Sequence, residues 1–246
     1  MGAAARSISR IRVPRTPSWQ KVRRRLLALA IVLVALAAAY FLWFRASSFV
    51  QVQDVTVTGA EGDPAVETAL ASAGVGLSTL HLDEAALQVA VAEDPNVASL
   101  TAVADFPSGL KIEVDLRRPA GYVEVGGGAV IASDGVVLAT GLERPDGLAL
   151  IKTESTTLAG RADGSTLDVA HVLGAAPEGI AAQVESGRVD PEYGPAVTLA
   201  GGVELRFGDT TRADLKWLAA GAVIADQDFE GAAYLDLSVP SRPVAG

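Results

Sequence analysis

Nineteen consecutive residues, Leu26 to Phe44 (LLALAIVLVALAAAYFLWF), carry neither charge nor proline, and no later segment approaches that length. As a helix rising ~1.5 Å per residue the run spans about 28 Å, close to the ~30 Å hydrocarbon core of a bilayer. Eleven of the nineteen are Leu, Ile, Val or Phe, which favours insertion of a single transmembrane helix. After it the pattern changes to short periods. Val50, Val52, Val55 and Val57 alternate with polar residues, with a register shift between the pairs, and predict a strand with a bulge. Asp63-Pro64 then opens a helix whose apolar face is Val66, Ala69 and Leu70, with Gly74 closing it. A second helix begins at Asp83, with Leu87, Ala90 and Val91 at helical spacing, and ends before Pro95. Strands are predicted over residues 97–105 and 110–116, separated by Pro107-Ser108-Gly109.

Residues 119–240 read as a β-rich α+β domain. Short strands are expected over 121–125, 129–132, 136–140 and 148–152, then over 184–189, 196–200 and 203–207, with helices over 167–173 and 212–224. The closing strand, 232–239, alternates Leu235, Leu237 and Val239, expected to pack inward, with Tyr234, Asp236 and Ser238 on the other face. Pro240 and Pro243 are expected to stop further pairing, leaving this strand at a sheet edge with unpaired backbone groups. The division expected is a basic tail (1–25), an anchor (26–45), a first outer domain (46–118), a β domain (119–240) and a short tail (241–246).

Charge orients this arrangement. Residues 1–25 hold eight Lys and Arg, Arg23-Arg24-Arg25 among them, and no acid. Beyond Arg45, eleven Lys and Arg face twenty-nine Asp and Glu, a net −18. The positive-inside bias keeps the tail in the cytoplasm and sends the rest across. Tyr40, Phe41, Trp43 and Phe44 form an aromatic belt at the outer end. A cleaved signal peptide is the competing reading, since Ala35-Leu36-Ala37 has the small residues of a cleavage site and Arg24-Arg25-Leu26-Leu27 touches a twin-arginine pattern. The apolar run exceeds the ~7–15 residues usual for such peptides, so an uncleaved anchor is preferred.

Candidate chemistry is sparse. Cysteine is absent, which removes disulfides and thiolate chemistry together. His81 and His171 lie ninety residues apart with no metal-binding pattern nearby. Ser78 and Ser133 lack a nucleophile elbow, and Ser133-Asp134-Gly135 reads as a hairpin turn. Gly126, Gly127 and Gly128 lack the Lys-Ser/Thr of a phosphate loop, and Asp226, Asp228 and Glu230 form only part of a cation loop. No cofactor, metal or nucleic-acid partner is expected, and no enzymatic activity.

The order strand–helix–helix–strand–strand behind an anchor, with Val55-Thr-Val-Thr-Gly59, Leu80-His-Leu-Asp83, Asp94-Pro-Asn-Val97, Phe106-Pro107, Leu110-Lys-Ile-Glu-Val114 and Arg117-Arg118-Pro119, resembles a polypeptide-transport-associated (POTRA) domain. With the Asp-Gly hairpin of 129–138, Gly202-Val-Glu-Leu-Arg-Phe-Gly208 and Tyr234-Leu-Asp-Leu-Ser-Val-Pro240, it resembles the FtsQ/DivIB family of bacterial cell-division proteins. Abundant Ala and Gly point to a high-GC, actinobacterial source. The resemblance implies a noncatalytic scaffold at the division septum in the cell membrane. It further implies binding of FtsB/FtsL-type bitopic proteins by strand addition at Tyr234, Asp236, Ser238 and Val239, with other division proteins meeting the POTRA domain and the transmembrane helix. Arg117, Arg118 and Pro119 would then set the angle between the outer domains and assist recruitment; the plainer reading is an exposed basic pair bound to Glu113 or Asp115. Relatives carry an arginine and an aromatic where Ser238 and Val239 align. A POTRA-type transport module and a membrane-anchored exported enzyme are the alternatives.

Overall fold

The computed structural model describes residues 19–40, 50–225 and 232–246. Helix α1, Trp19–Ala39, carries Lys21, Arg23, Arg24 and Arg25 in its first two turns, so its uncharged part is Leu26–Ala39. No helix among the described residues is long and apolar enough to cross a membrane. Residues 41–45 of the expected anchor, Trp43 among them, lie outside the described residues, as do Asp226, Asp228 and Glu230.

A first sheet follows from β1 (Asp54–Thr58), α2 (Pro64–Gly74), α3 (Glu84–Ala90), β2 (Val97–Asp105) and β3 (Gly109–Leu116). Its order is β1-β3-β2, with β1 parallel and β2 antiparallel to β3. Alternation along β3 turns Leu110, Ile112 and Val114 inward against Val66 and Leu70 of α2 and Leu87 of α3, while Lys111, Glu113 and Asp115 face solvent. Asp63 caps α2 by accepting from the N–H groups of Ala65 and Val66 at 3.1 and 3.2 Å. Gly74 serves α2 by packing rather than as a left-handed cap. It is the last helical residue, and a Cβ there would stand 3.0 Å from Leu110 and 3.1 Å from Val55.

The second sheet begins two residues after β3. Its strands are β4 (Pro119–Val123), β5 (Ala129–Ala132), β6 (Val137–Thr140), β7 (Leu150–Ile151), β8 (Val184–Asp190), β9 (Gly194–Leu199), β10 (Glu204–Arg206), β11 (Tyr234–Asp236) and β12 (Val244–Ala245), in the order β12-β11-β10-β9-β8-β7-β4-β5-β6. The mixed α+β class is as expected. Helices α4 (Gly164–Gly174) and α6 (Ala213–Ile224) contribute Val169, Val172, Leu173, Trp217 and Ala220 to the core over one sheet face, with the short α5 (Glu178–Ala181) between α4 and β8. Trp217 donates its indole N–H to the Val172 carbonyl at 2.7 Å, tying α6 to α4. Lys216, beside it, is also buried and donates to the Phe207 carbonyl at 2.8 Å, the Asp209 carbonyl at 3.0 Å and the Asp209 carboxylate.

The expected closing strand is corrected in two ways. It pairs only over Tyr234–Asp236, because the Asp236 carboxylate accepts the Ser238 N–H at 2.8 Å and turns the chain. Ser238 and Val239 therefore leave the ladder, and Val239 is exposed instead of packing inward. The prolines do not end pairing either. They stand in the connection, where no ladder N–H is required, and the chain returns as β12, antiparallel to β11. The sheet edge is β12, not β11.

Candidate functional site

The β12 end of the large sheet is built from the inside outward. β10 and β11 run parallel and are joined through α6, with Leu205 beside Leu235. Leu205, Leu235 and Leu237 are fully buried, which fixes register: a one-residue slip would expose all three. Tyr234 and Asp236 consequently point to the opposite face, half-buried. The Gly246 N–H donates to the Tyr234 carbonyl at 3.1 Å, and its own carbonyl accepts from Ala233 and Tyr234 at 2.8 and 3.0 Å. By antiparallel alternation Gly246 and Val244 face β11, so the N–H and C=O of Ala245 are directed to the free side. Val244 and Ala245 are exposed.

Beside this edge the outward face of β8 to β11 carries an ordered polar cluster. The Arg206 guanidinium lies between the rings of Tyr193 and Tyr234, 4.0 Å from each centroid, and donates to Glu204 at 2.9 Å. Arg188 donates to Glu204 at 2.8 Å, to the Tyr193 hydroxyl at 3.3 Å and to Asp190. Burial pushes the Glu204 carboxyl up, but the two guanidiniums outweigh it and hold the group below its ordinary range. Arg188 lowers Asp190 likewise. A stacked guanidinium is pre-positioned, so it loses little freedom when a partner covers it. The sequence shows Glu204 and Arg206 alternating with Leu205, which marks an outward pair. It gives no sign that Tyr193 and Arg188 meet them, because those contacts depend on strand order.

A second cluster lies where β3 passes into β4. Arg117 donates to the carbonyls of Pro95 (2.9 Å) and Val97 in the first sheet's unit, and to the Asp134 carboxylate at 2.8 Å in the β5–β6 turn. It pairs across the junction and not with Glu113 or Asp115. Arg161 donates to the Asp134 carbonyl at 2.9 Å and holds the same turn. Burial raises the Asp134 carboxyl, yet Arg117 and the Val136 N–H together bring it below the usual carboxylate range. Arg118 and Pro119 are exposed. With Asp115, Arg117 and Asp134 they line an open cleft of about 600 Å³ between the two units. The structure thus brings Arg117 and Asp134 together and Tyr234 beside Arg206, but keeps the junction and β12 apart.

Residues 121–238 match the family model described as cell division protein FtsQ/DivIB, C-terminal. The chain is 26% identical over 245 residues to the cell division protein FtsQ of Streptomyces collinus, covering 94% of this chain and 92% of the relative. It is 29% identical over 260 residues to the cell division protein FtsQ of Anaeromyxobacter sp. (strain K), covering 97% and 87%. Residues 121–238 thus carry the C-terminal domain of the FtsQ/DivIB family. The matched FtsQ/DivIB region runs from within β4 to just past β11. It therefore includes the Arg188, Tyr193, Glu204, Arg206 and Tyr234 cluster and stops before β12.

Among the described residues, no three His, Asp or Glu side chains converge in a way that would hold a metal ion. His81 and His171 are exposed. Ser78 lies in bridges to Gln51 and His81. Ser133 opens the Asp134-Gly135 turn, where Gly135 takes φ +84°, and Gly126 to Gly128 form the link from β4 to β5.

Proposed function

We propose that this FtsQ/DivIB protein is a noncatalytic scaffold of the division septum, held in the cell membrane by residues 26–44 with its N-terminus in the cytoplasm. Residues 46–118 act as a POTRA domain and 119–246 as the β domain that engages FtsB/FtsL-type bitopic partners, linking them to septal wall synthesis. The observation that carries the partner reading is the two-residue β12 edge, with Ala245 directed outward next to the Tyr193–Arg206–Tyr234 stack. An extended segment of a partner adds there through backbone hydrogen bonds, and its alternate side chains meet the aromatic and guanidinium face. Tyr234 and Asp236 remain in this site, whereas Ser238 and Val239 do not. The Arg117–Asp134 contact fixes how the β domain is held relative to the anchor, and Arg118 is free to meet a recruiting protein along with the POTRA surface.

The test is co-purification of the full chain with the FtsB/FtsL-type partner from detergent. Ala245→Pro removes the outward N–H without touching the Gly246 bonds to β11, and Arg206→Ala removes the stack. Both are expected to lose the partner while keeping the near-ultraviolet circular dichroism of Trp217. Retained binding in both folded variants refutes the assignment of the surface.

A further inference from the structure

The end of the first sheet nearest the anchor carries two exposed apolar residues on either side of the incoming chain. Val50 and Val52 are buried and locked by short backbone bonds: Thr79 N–H to the Val50 carbonyl at 2.8 Å, Val52 N–H to the Leu77 carbonyl at 2.8 Å, and Gly76 N–H to the Val52 carbonyl at 2.9 Å. The β2–β3 turn closes the other side, since the Ser108 carbonyl accepts from Gln53 and Asp54 at 2.8 and 3.2 Å, and the Thr79 hydroxyl donates to the Pro107 carbonyl at 2.9 Å. Val75 (59% exposed) and Phe106 (58% exposed) therefore flank residues 50–54.

Chain length ties this end to the bilayer. From Arg45, the last residue of the expected anchor, to Val50 is five residues, which reach at most about 18 Å when fully extended. The headgroup layer occupies roughly 5–7 Å beyond the hydrocarbon core on each side. We propose that Phe106 and Val75 seat this tip of the domain in the headgroup layer, so that the first outer domain rests on the lipid surface. This rests on the reading of residues 26–44 as an anchor. The contact is apolar in character. Asp54 and Asp105 stand at the same end, with Lys111 bound to Asp105 at 2.8 Å, and the region beyond Arg45 carries a net −18. Anionic headgroups are therefore repelled, and the lipid partner is a neutral or zwitterionic surface met by an aromatic ring.

The chain has no native cysteine, so single nitroxide labels report site by site in the full chain inserted in zwitterionic nanodiscs. Labels at Leu33→Cys, Val75→Cys and Leu218→Cys are compared for accessibility to oxygen over a water-soluble nickel chelate. The expected ratio at Val75 is several-fold above that at Leu218, which is exposed on α6, and Phe106→Asp drops it to the Leu218 level while Phe106→Trp preserves it. A lipid-like ratio at Leu33 with a water-like ratio at Val75 overturns the seating alone. A water-like ratio at Leu33 overturns the anchor and the seating together. Retention of the Val75 ratio in a folded Phe106→Asp variant removes Phe106 from the contact and refutes the proposal.

Discussion

Replacing either partner of the Lys216–Asp209 pair is expected to weaken the β domain, but unequally, and the asymmetry follows from burial. The Lys216 side chain is 1% exposed and that of Asp209 is 64% exposed. Asp209→Asn leaves the buried ammonium with neutral acceptors only, the carbonyls of Phe207 and residue 209 and the amide oxygen, and removing the counter-ion of a buried charge costs about 3–5 kcal/mol. Lys216→Met instead releases an exposed carboxylate to water, and the Phe207 carbonyl keeps the Asp209 N–H it accepts at 2.8 Å, so the loss is roughly 0.5–1.5 kcal/mol. Melts followed by the near-ultraviolet signal of Trp217, whose ring centroid lies 5.1 Å from that of Phe207, convert each kcal/mol into about 2–4 °C. Asp209→Asn should therefore lower the transition by roughly 6–20 °C, Lys216→Met by less, and the double variant by less than the sum of the two. An Asp209→Asn melt milder than that of Lys216→Met, or strict additivity, refutes the reasoning.

Two more outcomes are expected. Lys216 holds the Asp209 carboxyl down to about 2; a lowered folded-state value means the pair's stabilisation is full above the unfolded carboxylate's ~3.9 and is lost as pH falls from there through the folded value. An acid titration of the Trp217 signal should show this loss in the wild type and not in Lys216→Met. Gly59 takes φ +84° and a Cβ there would stand 2.0 Å from the Val114 carbonyl, so Gly59→Ala should destabilise the first sheet by at least about 1–3 kcal/mol, read as lost amide-exchange protection in β1 and β3.

Local chemistry was the legible part of this chain. Residues 129–132 show as a strand in the sequence and form β5, because four apolar residues between a glycine run and an Asp-Gly turn have one local solution. Asp63 announces its cap by standing before Pro64. Contacts between distant elements were not legible. The strand expected over 148–152 is present but pairs only as Leu150–Ile151, while β12 pairs over two residues, too few for any period, and lies beside a proline. Arg117 displays a charge, but its partner Asp134 is set by how β5 and β6 fold back over the junction. Buried Lys216 resembles a surface lysine in the sequence, because its three acceptors come from the end of β10 and the loop before α6.

The positions of the two clusters connect them mechanically. Six strand intervals separate β4, at the junction, from β12, about 29 Å at ~4.8 Å each. A rotation of about 10° at Arg117 therefore displaces the β12 edge by roughly 5 Å, about one strand spacing. In the proposed function, a partner that is itself anchored in the membrane meets that edge at a fixed height, and β3 adds about 24 Å between the β2–β3 turn and the junction. A short loss of order at Arg117 is thus as damaging to strand addition as a change in β12 itself. In the proposed function, the contacts that hold Arg117 to the carbonyls of Pro95 and Val97 and to Asp134 belong to the binding site in this sense, although no partner strand touches them.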